Sequence, residues 1–131
     1  MKPTKSEVSD HDLKKVIADF LDQGHVENII AMFRRDPQYY EWTGDILLDE
    51  RFNVRLGVTV LFEELQAIQP DKPALAIPSL VKLLDSENPI IRGEAVSILG
   101  IIGTSEAMTL IRSLQSDPHP QVREMVQLVL T

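Results

Sequence analysis

The sequence predicts an all-α protein, a right-handed α-solenoid of short helical hairpins, and three observations carry that prediction. Apolar residues recur at the three- and four-residue spacing of a buried helical stripe along most of the chain. Proline, glycine and short polar residues fall between the stripes, where helices stop and start. The segment from Ala76 to Leu99 aligns without a gap with the segment from Ala107 to Leu130, 31 positions later. Self-similarity at such a period marks a stack of supersecondary units.

The first helix is announced by Ser9 as its cap, with Asp12 three residues later and Val8 and Leu13 placed as a hydrophobic staple. Its stripe is Leu13, Val16, Ile17, Phe20 and Leu21, and Gly24 can take the left-handed conformation that ends it. Val26, Ile29, Ile30 and Phe33 repeat the spacing, so residues 9–35 read as an N-terminal capping hairpin. Asp36 and Pro37, a cap and a first-turn proline, open a third helix running to about Leu48. The fourth, over 52–65, is apolar nearly all round through Val54, Leu56, Val58, Val60, Leu61, Phe62 and Leu65, so most of its sides must be covered.

Residues 66–73, with Pro70 and Pro73, read as a loop. A fifth helix carries Ala76, Ile77, Leu80, Val81, Leu83 and Leu84, with Pro78 either bending it or marking its first turns. Helices six to eight are expected at 89–102, 105–114 and 120–130, with Gly103 and Thr104 supplying a stop and the next cap. The expected organisation is one domain over 1–131. After the capping hairpin, residues 36–131 hold three repeats, at about 37–66, 73–103 and 104–131.

Composition narrows the function classes. With no cysteine, the chain offers no disulfide framework, thiolate nucleophile or Cys-type zinc site. A formal charge of −7 argues against a nucleic-acid groove, because such binding draws on lysines and arginines neutralising phosphates. Neither a signal-peptide core near Met1 nor an apolar run of membrane-spanning length is present in the sequence, which reads as that of a soluble, cytoplasmic protein with no membrane partner.

The repeat is carried by cap prolines, arginines and apolar stripes together. Pro89 matches Pro120, Arg92 matches Arg123, Ile91 matches Val122, and Ala95 matches Val126. A third copy lies 37 positions upstream of the middle one, with Val54 and Arg55 in place of Ile91 and Arg92. The motif is therefore an acidic turn, a β-branched residue and an arginine, then the second helix of a hairpin. Residues 85–100, with Ile91, Arg92, Ala95, Leu99 and Gly100, followed by Ile102, Gly103 and Ala107, resemble the HEAT-like repeats of the phycobilin lyase family. The resemblance implies an armadillo-like solenoid and is nearly silent on activity, since that repeat occurs in lyases, hydroxylases, glycosylase relatives and plain scaffolds. It also implies that Arg55, Arg92 and Arg123 form a structural ion-pair ladder with Asp49, Asp85 and Asp117.

No catalytic, cofactor-binding or metal site is expected from these residues. His11 and His25 stand at opposite ends of the first helix, roughly 20 Å apart, too far to share a metal. Metal-dependent HEAT-like hydroxylases carry His-Glu pairs, and this sequence has no His-Glu dipeptide. Glu63 and Glu64 are adjacent and point about 100° apart on a helix, which disfavours a catalytic pair.

The expectation is a non-catalytic scaffold or regulatory adaptor that binds another protein, through its inner helices or through an acidic aromatic ridge. On an α-helical wheel Asp45 and Asp49 share one face of the third helix, with Tyr40 and Trp42 on its borders, a composition that protein-binding surfaces favour. The alternative is an accessory subunit of an enzyme, such as a chromophore lyase whose repeats cradle a tetrapyrrole. The last helix, with Met125 and Leu128, is more apolar than one preceding hairpin can cover, so self-association as a twofold dimer or partner docking is expected there.

Overall fold

The computed structural model describes residues 9–131. Among them the chain forms eight α-helices and three 3₁₀ segments, and no strand. Helix α1 (Asp10–Asp22) begins at Ser9, whose hydroxyl accepts from the Asp12 amide at 3.1 Å. The staple expected between Val8 and Leu13 involves a residue outside the described ones. Gly24, at φ +84°, reverses the chain into α2 (Val26–Arg35). Ile17, Leu21, Ile29 and Phe33 are the buried stripe of this first hairpin.

The segment after Asp36 is not a single α-helix. Residues Pro37–Trp42 are 3₁₀, and only Thr43–Leu47 (α3) are α-helical. The first helix of the next hairpin is divided in the same way. A 3₁₀ turn at Pro73–Ala76 leads into α5 (Ile77–Val81), which holds Pro78 in its first turn, and a second 3₁₀ turn follows at Lys82–Asp85. Proline at the start of a helix loses no hydrogen bond there, so Pro78 begins α5 rather than bending it.

The second helices of the hairpins are continuous: α4 (Phe52–Ile68), α6 (Pro89–Ile102) and α8 (Pro120–Leu130). Asn88 caps α6 through its carbonyl oxygen, which accepts from the Ile90 amide at 2.9 Å. Gly103, at φ +69°, ends α6 in the left-handed conformation, and Thr104 caps α7 (Ser105–Arg112).

Packing follows the order of the chain. Helix α4 lies against α6 and α6 against α8, which makes one row; α3 lies against α5 in a second; α1 and α2 cover the free side of α4. One continuous apolar cluster runs from Ile17 to Val126 through Val58, Leu80 and Leu99. Close approach in these rows is secured by glycines. A Cβ at Gly44 would collide with the Ser79 carbonyl across the α3–α5 contact, and the Gly44 amide donates to the Ser79 hydroxyl at 3.0 Å. At the α6–α8 contact a Cβ on Gly100 would stand 2.6 Å from a Val129 methyl.

Candidate functional site

The three repeat arginines start the second helices of their hairpins and share one local geometry. Each guanidinium donates from Nη1 to the carbonyl oxygen six residues back: Arg55 to Asp49 at 3.1 Å, Arg92 to Ser86 at 2.8 Å, Arg123 to Asp117 at 2.6 Å. The turn before each helix is thereby held by the arginine at its fourth position. Arg55 reaches a second carbonyl, that of Glu50, at 3.0 Å.

The other side of the Arg55 and Arg92 guanidinium groups faces the following hairpin. Arg92 meets Asp117 with two parallel bonds, Nε to Oδ2 and Nη2 to Oδ1, both at 2.8 Å. Such fork-to-fork pairing is the strongest geometry an arginine offers a carboxylate. It holds the Asp117 carboxyl below the usual carboxylate range, chiefly through the Arg92 bonds and against the desolvation of a buried position. The His119 amide adds a third bond to Oδ1 at 2.9 Å. Arg55 instead approaches Glu94 on α6, with Nε 3.5 Å from Oε2 and no directed hydrogen bond.

The expected set of pairs is therefore corrected in part. Asp85 pairs with none of the three arginines among the described residues, and the Asp49 carboxylate binds Arg51, at 3.0 Å from both Nε and Nη2. Arg51 was not singled out by sequence, yet it also reaches Asp19 at 2.9 Å and Asp22 at 3.5 Å, tying α1 to the turn before α4. Its position, immediately ahead of α4 and behind an acidic turn, was the available signal. Arg51 holds the Asp49 carboxyl below its ordinary value.

The acidic aromatic ridge is also corrected. Tyr40 is 0% exposed and Trp42 8%, so neither ring forms a surface. The reason is the 3₁₀ geometry of Pro37–Trp42, in which residues three apart eclipse, so the α-helical wheel assigns the faces wrongly. Tyr39 and Trp42 stack edge to face at 5.0 Å, and Tyr40 packs edge-on against Phe33 at 5.0 Å and Phe62 at 6.0 Å. The Tyr40 hydroxyl accepts from Gln69 at 2.6 Å, and burial pushes the phenol above its ordinary value. Asp45 is on the surface, but Lys14 holds it at 2.6 Å while also lying 5.4 Å over the Trp42 ring.

Several of the most exposed apolar residues lie on the second helices. Phe52 is 62% exposed and Leu56 49%, and with Val60 they follow at four-residue spacing along α4. Beside them, between α4 and the α1–α2 turn, is a depression of about 360 Å³ lined by Leu21, Val26, Asn53, Leu56, Gly57 and Val60. On α8, Leu128 is 72% exposed and Met125 half-buried. No helix among the described residues is long and apolar enough to cross a membrane.

The HEAT-repeat signature matches residues 46–131, which takes in α4 through α8 and all three arginines. The chain belongs to the HEAT-repeat family. The match is to HEAT repeats in general, without the phycobilin lyase subtype. No solved structure matches this HEAT-repeat chain significantly. It is similar to a deoxyhypusine hydroxylase from Arabidopsis thaliana, 43% identical over 60 residues, which are 44% of this chain and 19% of that protein. The chain thus spans about a fifth of the relative's length.

That similarity overturns the expectation of a chain outside enzymes, because the relative is an enzyme by name. The exclusion rested on the missing His-Glu dipeptide together with the separation of His11 and His25, the divergence of Glu63 and Glu64 and the absence of cysteine. A missing motif in a stretch covering a fifth of the relative says nothing about the other four fifths.

Proposed function

We propose that this HEAT-repeat chain is a protein-binding module whose partner docks on the exposed apolar face of α4. The observation that supports the reading is the row Phe52, Leu56 and Val60 beside the depression at Leu21 and Val26. Anchors four residues apart next to an apolar recess suit the insertion of a partner's hydrophobic side chains. Asp45 and Asp49 are engaged by Lys14 and Arg51, which leaves the α4 face as the better contact.

The test is affinity capture from the native cell with the wild-type chain and two variants. A partner held by the wild type and by Asp45→Lys, and lost with Leu56→Glu at unchanged helical circular dichroism, supports the α4 face. Equal recovery with all three baits removes it.

A second reading is favoured by the deoxyhypusine hydroxylase similarity: the repeats serve as part of a hydroxylase-type enzyme. The described residues do not furnish the metal centre such a reading invokes, since no three His, Asp or Glu side chains converge among them. A metal would need ligands contributed from outside residues 9–131. Metal analysis of the complex captured from the native cell separates the readings: a divalent transition metal held in stoichiometric amount favours the second, and a metal-free complex leaves the α4 interface as the working surface.

A further inference from the structure

Ser86 occupies in the turn before α6 the place that Asp117 occupies in the turn before α8, 31 positions later. The two turns are built alike. The Ser86 hydroxyl accepts from the Asn88 amide at 3.1 Å, and Asp117 Oδ1 accepts from the His119 amide at 2.9 Å. Asn88 and His119 in turn cap the helices that follow, accepting from the Ile90 and Gln121 amides. The backbone carbonyls of Ser86 and Asp117 each accept from the arginine six residues on. What differs at this position is the side chain, a carboxylate in the later turn and a neutral hydroxyl in the earlier one.

The arginines that face these turns differ accordingly. Asp117 closes on Arg92, accepting from both Nε and Nη2. Arg55 stands at the position of Arg92 one repeat earlier, so the turn of the hairpin that follows it is the one holding Ser86. The Arg55 side chain is nearly covered, yet its Nε is buried with no hydrogen-bond acceptor. Glu94 comes to 3.5 Å from that nitrogen without a directed bond, and in the next joint its place is taken by Met125. The contact between α4 and the α5–α6 hairpin thus has its cation in place and lacks the acceptor that completes the joint after it.

Ser86 is also reachable from solvent. It lies in extended backbone, φ −62° and ψ 143°, and its neighbours Asp85, Glu87 and Asn88 are exposed. A phosphorylated serine carries close to two negative charges and three strong acceptor oxygens, and opposite an arginine it forms charge-assisted hydrogen bonds that order the contact.

We propose that Ser86 is a phosphorylation site whose phosphate accepts from Arg55 as Asp117 accepts from Arg92, completing the joint between α4 and the α5–α6 hairpin. The modifying enzyme is a protein kinase that uses a nucleoside triphosphate. Ser86 Oγ attacks the γ-phosphorus, the bond from that phosphorus to the β,γ-bridging oxygen breaks, the nucleoside diphosphate leaves, and the hydroxyl proton passes to the kinase's base. Asp85 and Glu87 make the segment complementary to a kinase with a basic peptide groove. A dianion is the stronger acceptor, so Glu94 gives up Arg55 and turns to solvent. The site does not rest on the α4 docking face.

Two measurements test it. The protein is isolated with phosphatase inhibitors from native cells in growth and in starvation, and the peptide holding Ser86 is read by mass spectrometry. Phosphate on Ser86 is expected in at least one state, and its absence from both overturns the proposal. The full chain, with Ser86 uniformly phosphorylated by genetic encoding, is then unfolded in urea beside the unmodified chain. Its midpoint is expected to rise, and the rise to vanish when both forms carry Arg55→Gln. Ser86→Asp, which repeats the side chain of Asp117, gives a smaller rise with the same dependence. Arg55→Lys, which keeps the charge and loses Nε, serves where Arg55→Gln fails to fold, and it should shrink the rise. A phosphorylated chain no more stable than the unmodified one, or a rise undiminished by either Arg55 variant, overturns the proposal.

Discussion

Arg92 and Asp117 are joined by two 2.8 Å hydrogen bonds across the boundary between consecutive hairpins, twenty-five positions apart in sequence. Both side chains are nearly covered, so the pair is poorly screened and each charge depends on the other. Replacing Arg92 by Ala leaves the Asp117 carboxylate buried without its partner and removes the bond to the Ser86 carbonyl. The expected cost is about 1–3 kcal/mol in urea unfolding. Arg92→Lys should recover only part of it, because an ammonium cannot make the parallel pair of bonds. Arg123→Ala, which loses one bond to a backbone carbonyl, should cost less.

Acid should attack the same joint. The Asp117 carboxyl titrates below its ordinary value in the folded chain, so the unfolded state binds the proton more readily. The stability it contributes is fully present above the unfolded carboxylate value of about 4 and is lost as pH falls through the depressed folded value. Thermal melts of the wild type between neutral pH and pH 2 should drop more steeply below about pH 4 than those of Asp117→Asn. Parallel acid limbs would show that the pair carries no such linkage.

Trp42 is a core residue, and its removal should be felt in folding. Trp42→Ala deletes the edge contact with Tyr39 and the platform under Lys14, at an expected cost of about 3–5 kcal/mol. Asp45→Lys, at an exposed site, should leave the melting temperature within a few degrees. Guanidinium unfolding of the two variants checks the contrast, and a Trp42→Ala protein as stable as the wild type contradicts the buried placement.

Two glycines should respond to alanine with opposite signs. Gly44 has the Ser79 carbonyl where a Cβ would go, so Gly44→Ala must push α3 away from α5 and destabilise. Gly93 lies inside α6 with nothing within 4 Å of a Cβ, so Gly93→Ala should stabilise by up to about 1 kcal/mol through helix propensity. Urea midpoints moving in opposite directions are the expected outcome.

How much of this was legible in the sequence depends on which interactions fix each element. The bounds of α6 and α8 follow from local chemistry, Asn88 and Pro89 at one start, His119 and Pro120 at the other, and the expected ranges agree with the observed ones. The α3 and α5 segments were less legible because an apolar stripe suits α and 3₁₀ geometry alike. The choice moved Tyr40 and Trp42 from the borders of a surface into the core. Which acid meets which arginine was not readable either. It depends on how far one hairpin slides along the next, and that offset gives Arg55 a glutamate on α6, Glu94, where a turn aspartate was expected. The exclusion of enzyme character went beyond what a short stretch of repeats can establish.

The division of the hairpins' first helices also has a mechanical side. The row α4–α6–α8 is built of unbroken α-helix, whose hydrogen bonds resist stretching, whereas the strip containing α5 is flanked by two 3₁₀ turns of four residues each. A 3₁₀ residue advances about 2.0 Å and an α residue about 1.5 Å, so converting all eight would shorten that strip by about 4 Å while breaking no covalent geometry. The α5 strip can thus change its length along its own axis, which the unbroken helices α4, α6 and α8 packed side by side cannot do without losing their hydrogen-bond register.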